Sequence, residues 1–325
     1  MAQVDLAHLL SLYSRPLEEL LREAWAVRQG NFSPILKLAA PSPKRYEVDD
    51  YHNSPYGFVD ISLTGRACRL MCEHCRGRLL ESMHPARSPA ALRRLGDLLV
   101  ERGCQGVLLS GGADGEGRVP LDGYQEAIAY LKERGLKVIV HTGLLDPETA
   151  VSLKSAGVDQ VLIDIIGDED TIRQVYHLDK TPADYAAALA CLKEAGLSIA
   201  PHIVIGLHFG QIRGELEALR QVTAAQVEAI IMVVLNPLPG TPMRAYPSPP
   251  PEAVGRLIAL ARLFNPHTPV ALGCARPPSA LKVAMERLAI DAGINTLAYP
   301  SQESIAHARV VGLSVEFTEL CCSLL

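Results

Sequence analysis

The chain has 325 residues, 48% of them hydrophobic, and a net charge of −5; that is enough apolar material for a full core in one large domain or two small ones. No basic block of nucleic-acid type is present, so no nucleic acid is expected as a partner. The N-terminus, MAQVDLAHLLSLYSRPLEELL, has no basic region followed by a long apolar run, and the apolar stretch Ala229–Leu235 is too short to cross a bilayer. No membrane association is expected. Eight cysteines, three of them clustered, fit a reducing cytoplasmic setting and metal ligation better than disulfides.

In chain order, the first segment reads as helical to about Gln29, with Gly30 as a stop. Pro34, Pro41 and Pro43 then mark an irregular approach. Phe58–Leu63 reads as a strand that ends in a glycine turn before the run ACRLMCEHC. From there, strands are expected at Gln105–Leu109, Leu136–His141, Gln160–Ile166, Ser198–Ile205 and Ala229–Leu235. Helices are expected at Tyr124–Glu133, Pro147–Ser155, Pro182–Glu194, Ile212–Thr223 and, after the proline-rich linker Pro247–Pro251, Glu252–Phe264. The alternation gives six strand–helix units, and near-continuous apolar strands are those of a parallel sheet covered on both faces. Right-handed crossovers wrap such units into a partial barrel or an open α/β sheet. Gly103, Gly135, Gly157 and Gly196 each stand between a helix and the next strand, as helix C-caps do. The organisation expected is an N-terminal helical extension over 1–50, the barrel over 51–265 and a C-terminal α/β extension over 266–325.

Cys68, Cys72 and Cys75 form a C-x3-C-x2-C run. Iron–sulfur clusters normally take four cysteines, so three thiolates would hold three irons of a [4Fe–4S] cube and leave one iron open to a small molecule. Three plainer readings stand beside this one. A structural zinc needs four closed ligands, and His74 lies too close to its flanking cysteines to join them easily. A thioredoxin-like pair, Cys72 and Cys75, leaves Cys68 unexplained. Chance spacing is the third.

The cysteine run after a strand resembles the radical S-adenosylmethionine (SAM) superfamily. The resemblance implies an α/β fold with a partial (β/α)6 TIM-type barrel. It also implies that the cluster binds SAM through its amino and carboxylate groups and cleaves it to a 5′-deoxyadenosyl radical. A one-electron donor such as flavodoxin or ferredoxin is implied as a partner. His74 stands where the superfamily usually has an aromatic residue, next to the adenine site.

In parallel barrels the reactive groups sit at the C-terminal ends of strands. The second strand ends at Gly111-Gly112-Ala113-Asp114. The resemblance implies a glycine-rich motif here whose backbone and acid meet the SAM ammonium; alanine follows the glycines, and Asp114 comes one place late. A simple turn is the other reading. Asp164, in LIDIIG, is a carboxylate in an apolar strand, costly unless paired or functional. The resemblance puts it near SAM ribose or substrate; a capped strand end beside Gly167 is the alternative. In PHIVIGLHFG, Ile205 and Gly206 match the segment whose backbone flanks the adenine, and His202 and His208 face the barrel mouth or serve packing. Asn236 opens a turn through Pro239-Gly240-Thr241-Pro242, and the PGTP sequence recurs in biotin-synthase-like proteins. His202, Asn236 and Arg276 are the candidate substrate residues.

Cys274, Cys321 and Cys322 are expected to hold at least part of a second, auxiliary cluster. Adjacent cysteines in a tail that is normally frayed need a reason to be ordered; oxidisable surface thiols or small core residues are the alternative. Cys104 and Cys191 read as packing residues. The phrases HCRGRLLESM, LLSGGADGEGRVPL, PHIVIGLHFG and LGCARP resemble radical SAM proteins related to the two-protein lipoyl synthases. That implies sulfur insertion converting octanoyl to lipoyl chains, with a sacrificed auxiliary cluster. The substrate would be a small molecule or an acyl-protein, and a second radical SAM protein would be a partner. The N-terminal cysteine motif and the serine-bearing C-terminal motif of ordinary lipoyl synthase are both absent. A radical SAM enzyme of carbon or methyl chemistry, and a non-catalytic iron–sulfur or zinc protein, remain as other classes.

Overall fold

A computed structural model describes residues 5–278 and 280–324. Two helices, α1 (Leu6–Tyr13) and α2 (Leu17–Asn31), stand where one was expected. Pro16 separates them, because its ring cannot continue a helix interior. Residues 1–4 of the expected helical extension lie outside the described residues. The proline-marked approach contains a strand, β1 (Ile35–Ala39), with Leu36 and Leu38 fully buried.

The chain then alternates through β2 (Phe58–Ser62), the short β3 (His84–Pro85), α3 (Pro89–Glu101), β4 (Gly106–Ser110), α4 (Gln125–Glu133), β5 (Lys137–His141), α5 (Pro147–Ser155) and β6 (Gln160–Asp164). It continues through α6 (Glu169–Val175), α7 (Pro182–Glu194), β7 (Ile199–Ile205), α8 (Glu215–Ala225), β8 (Ile230–Val234) and α9 (Pro251–Phe264). The last part holds β9 (Val270–Leu272), α10 (Ala280–Asp291), β10 (Thr296–Ala298), α11 (Gln302–Val310) and β11 (Ser314–Thr318). Local chemistry sets many of these boundaries. Asp146 accepts from Thr149 N at 2.9 Å ahead of Pro147, and Thr181 and Asp184 form a capping box around Pro182. Gly103, Gly135, Gly157 and Gly196 all have positive φ, as the repeated C-cap reading required.

Among the described residues, eleven strands form one curled sheet in the order β11-β1-β10-β9-β8-β7-β6-β5-β4-β2-β3, and every pairing in it is parallel. This is the expected α/β partial barrel, carried further than six units. The N- and C-terminal segments pair inside the same sheet, with β1 wedged between β10 and β11. Parallel pairing puts all the C-terminal strand ends at one rim.

Strand alternation separates two cores. Val138, Val140, Val161 and Ile163 point outward against the helices. Phe58, Ile139, Leu162, Ala200, Ile231 and Ala271 point inward and fill the base of the barrel. Period-two spacing therefore places Asp60, His141, Asp164 and His202 on the inward side, one step nearer the rim. Among the described residues no helix is long and apolar enough to cross a membrane.

Candidate active site

The cysteine loop leaves the rim end of β2. Its shape is fixed by its own backbone: Cys75 N and Arg76 N both donate to Cys72 O, at 3.2 and 2.9 Å, and Arg78 N donates to Cys75 O at 2.8 Å. Glu73 N donates to Val175 O at 2.9 Å, which docks the loop on the end of α6. The Cys72 and Cys75 thiols and a ring nitrogen of His74 lie within 4.8 Å of one another. Cys68, half-buried on the same loop, is close enough for its charge to act on Cys72. The two buried thiols titrate as a pair. Cys75 is held low, first by the Cys72 thiol beside it and then by His74, while Cys72 is pushed up. The loop therefore favours a thiolate on Cys75 beside a ring whose buried Nδ1 has no hydrogen-bond partner among the described residues. Three free thiols on one preformed turn fit a cube that needs three protein ligands. The expectation that His74 lies too close to its flanking cysteines to join them easily is corrected: one of its ring nitrogens stands within 4.8 Å of both sulfurs.

Gly111 and Gly112 lie against this loop. Gly112 N donates to Thr64 Oγ1 at 2.7 Å, and Arg69 N donates to Ala113 O at 2.9 Å. A Cβ on Gly112 would stand 2.0 Å from Ala67 O and 2.6 Å from Cys68 Cβ. The glycine is thus required by the cluster loop itself, and a side chain there would displace a cysteine ligand as well as anything bound above it. Asp114 is exposed, and its Oδ1 accepts from Glu116 N at 2.8 Å and Arg118 N at 3.0 Å. Its carboxylate closes an Asx-type turn, so the expected contact with the SAM ammonium is not what holds it.

His141, Asp164 and His202 stand on three neighbouring strands, and their ligand atoms lie within 4.8 Å of one another. His141 Nε2 is 3.4 Å from Asp164 Oδ1, and Tyr176 OH donates to Asp164 Oδ2 at 3.3 Å. The Tyr176 ring lies 5.4 Å from that of His74, which links this group to the cluster loop. Burial works to raise the Asp164 carboxyl, but His141, with His202 and His74, together outweigh it and hold the acid at about 2. Burial likewise opposes charge on His141, yet Asp164 leaves that imidazole above its ordinary value. His202 is depressed to about 4 by burial and by His141.

The tail folds back over the rim. Cys322 is buried in the inner core with Tyr46 and Tyr299, Cys321 is half-buried, and Cys274 is exposed. Cys274 feels the charge of Cys321 and of Asp60, whose carboxyl is raised to about 7 by burial and then by Cys321. Lys44 Nζ donates to Cys274 O at 3.2 Å. The thiols named from sequence therefore lie within electrostatic reach of one another, together with an acid and a lysine that sequence reasoning passed over, but their three sulfurs do not all close to within 4.8 Å as the ligand atoms of the Cys72, His74 and Cys75 group do. Asp60, in FVDIS, carried the same signal as Asp164, and His141 ends a strand as reactive barrel residues do.

Other expected residues are placed differently. Arg276 is a clamp, not a group free for substrate. It donates to Glu286 Oε1 through Nε at 2.9 Å and Nη2 at 2.6 Å, and to the carbonyls of Gly273, Ala298 and Tyr299. Gly206, with φ of +79°, packs where a Cβ would strike Pro249 Cδ at 2.8 Å, so the chain itself requires glycine there; Ile205 is fully buried. His208 is locked between Thr171 Oγ1 at 3.0 Å and Arg213 Nη1 at 3.2 Å. Asn236 is half-buried just past β8, at the active rim. Around the cluster loop, Arg66, Arg69, Arg78, Arg87 and Arg244 are exposed and form no ion pair among the described residues.

The family model of the radical SAM superfamily matches residues 62–222, from the end of β2 through most of α8. A biotin synthase of Neorickettsia sennetsu is 27% identical over 280 residues, which cover 82% of this chain and 82% of that protein. A biotin synthase of Dechloromonas aromatica is 27% identical over 295 residues, with coverage of 89% and 84%. The crystal structure of methylornithine synthase superposes with a TM-score of 0.65 at 17% identity, covering 97% of this chain and 95% of that one, which shows a shared fold. With the three-thiol loop at the mouth of a parallel partial barrel, these matches establish that the chain belongs to the radical SAM superfamily.

Proposed function

We propose that this radical SAM enzyme inserts sulfur into an unactivated acyl chain, in a reaction of the octanoyl-to-lipoyl type, with a second iron–sulfur cluster held in part by Cys274, Cys321 and Cys322. The single observation that carries the reading is that an ordered C-terminal cysteine pair lies within electrostatic reach of Cys274 at the rim that also bears the cluster loop. An unactivated C–H bond is beyond acid–base catalysis, and a bound [4Fe–4S] cluster with SAM supplies the hydrogen-abstracting radical it needs. Cys68, Cys72 and Cys75 would hold that cluster, and Gly112 leaves space for the loop that carries it. Cys321, drawn down to about 7 by the neighbouring Cys322 thiol, is readily made a thiolate ligand. The unpaired arginines around the loop suit an acidic one-electron donor of the flavodoxin or ferredoxin type, whose docking would weaken with salt. The name of the biotin synthases supports assignment to a neighbouring chemistry at 27% identity.

Anaerobic reconstitution tests the reading. The Cys274→Ala/Cys321→Ala/Cys322→Ala variant should lose about half the iron and still cleave SAM, because the radical-generating cube is separate. With octanoylated protein or peptide as substrate, the unaltered enzyme should add sulfur mass and the triple variant should not. Full iron content in the triple variant would overturn the reading and leave carbon or methyl chemistry in its place.

A further inference from the structure

The acid and two histidines inside the barrel have no role in the sulfur-insertion reading, although the resemblance puts Asp164 near SAM ribose or substrate and His202 is among the candidate substrate residues. We propose that His141, Asp164 and His202 form a mononuclear site for a first-row divalent cation with nitrogen and oxygen ligands, distinct from the iron–sulfur sites. The inference is independent of sulfur insertion.

The backbone builds the group. Asp164 is in direct register with His202 across β6 and β7, and His141 is in register with Leu162 across β5 and β6. Period-two geometry then sends all three side chains into the lumen, above a floor of Ile139, Leu162 and Ala200. The spacing suits a shared ion. Two ligand atoms each about 2.1 Å from a metal lie about 3.4 Å apart at a tetrahedral angle. His141 Nε2 and Asp164 Oδ1 are 3.4 Å apart, and the third ligand atom lies within 4.8 Å of both.

A second observation points to a missing ligand. His202 Nδ1 is buried and has no hydrogen-bond partner among the described residues, although a bare polar nitrogen in a protein interior carries a desolvation cost. A simple buried Asp–His pair accounts for His141 and Asp164 but leaves His202 Nδ1 without a partner among the described residues. A cation uses all three. Tyr176 OH fixes Asp164 Oδ2 and leaves Oδ1 directed to the group, as an outer-shell partner does. No thiol belongs to the group, which favours a borderline cation over the soft chemistry of the cysteine loop. Side chains of His141 and Asp164 remain 25% and 29% exposed, so access from the mouth exists. Three protein ligands would leave at least one coordination position for water or an oxygen of a substrate.

The test uses the cluster-loaded holoenzyme equilibrated with Zn2+ and then freed of excess by gel filtration. Elemental analysis should find about one zinc per chain beyond the iron, with nitrogen and oxygen neighbours near about 2.0–2.1 Å in zinc-edge X-ray absorption. His202→Ala should lose the zinc while keeping its iron, and Tyr176→Phe should weaken zinc binding about 10–100-fold. If His202→Ala does not fold, His141→Ala takes its place with the same expected loss. No retained zinc, a sulfur shell near about 2.3 Å, or full zinc in the foldable histidine variant would overturn the proposal. Iron content and SAM cleavage measured on the same samples report the radical SAM reading separately.

Discussion

The cluster loop and the C-terminal thiols both present three cysteines at one rim, yet they are built in opposite ways. Cys68, Cys72 and Cys75 sit on one turn whose hydrogen bonds run within the loop and to its immediate supports, β4 and α6. Cys274, Cys321 and Cys322 come from two segments joined only because β9, β10, β1 and β11 lie side by side. What positions the second set is remote: the buried Arg276–Glu286 pair, 2% and 0% exposed, ties the chain just after Cys274 to α10, to the end of β10 and to Ser301. A locally built site should fail by losing a ligand, and a remotely built one by losing the fold around it.

The largest expected effect is Cys72→Ala. It should abolish deoxyadenosine formation, a loss of at least about a hundredfold, while leaving the denaturation midpoint near that of the parent, because one buried thiol contributes little to the core. Retained SAM cleavage would break the comparison at its stronger arm.

Arg276→Met should do the reverse. Removing one partner of a buried pair costs about 3–5 kcal/mol, so stability should fall sharply while the reconstituted cluster loop still cleaves SAM. The pH dependence sharpens this. Burial alone would raise the Glu286 carboxyl, but Arg276 and Ser301 outweigh it and hold it below its ordinary 4.5. A depressed acid contributes stability that is fully present above its unfolded pKa and is lost as pH falls through the folded value. In Arg276→Met the buried carboxyl loses its counter-charge and its pKa rises. The variant's deficit should therefore be greatest near neutrality and shrink in acid, as urea denaturation across pH would show. A deficit independent of pH would mean that the pair does not hold the second thiol set in place.

The smallest effect expected is Thr64→Val. It removes the acceptor for Gly112 N and leaves a part-buried donor bare, at a cost of about 1–3 kcal/mol. Iron occupancy of the first cluster should fall modestly, with no change at the C-terminal thiols. Equal iron loss at both sets, read by comparison with the Cys274/Cys321/Cys322 triple variant, would show that the two are not built separately.

Local information in the sequence determined the first site and most of the architecture. The C-x3-C-x2-C spacing lies within one turn, apolar strands and C-cap glycines repeat once per unit, and Pro147 and Pro182 fix helix starts to the residue. Neighbouring residues set these features by sterics and hydrogen bonding, so they survive without knowledge of the fold. Tertiary structure alone decided the rest. β1 was hidden among prolines because its strand character comes from pairing with β10 and β11, not from its own propensity. The meeting of His141 with Asp164 and His202, of Asp60 with Cys321, and of Arg276 with Glu286 depends on which strands become neighbours and on which face each residue takes. Asp114 and Arg276 look free in sequence and are occupied in the fold: Asp114 closes its own exposed turn, and Arg276 satisfies buried carbonyls that only the packing of β9 and β10 brings to it.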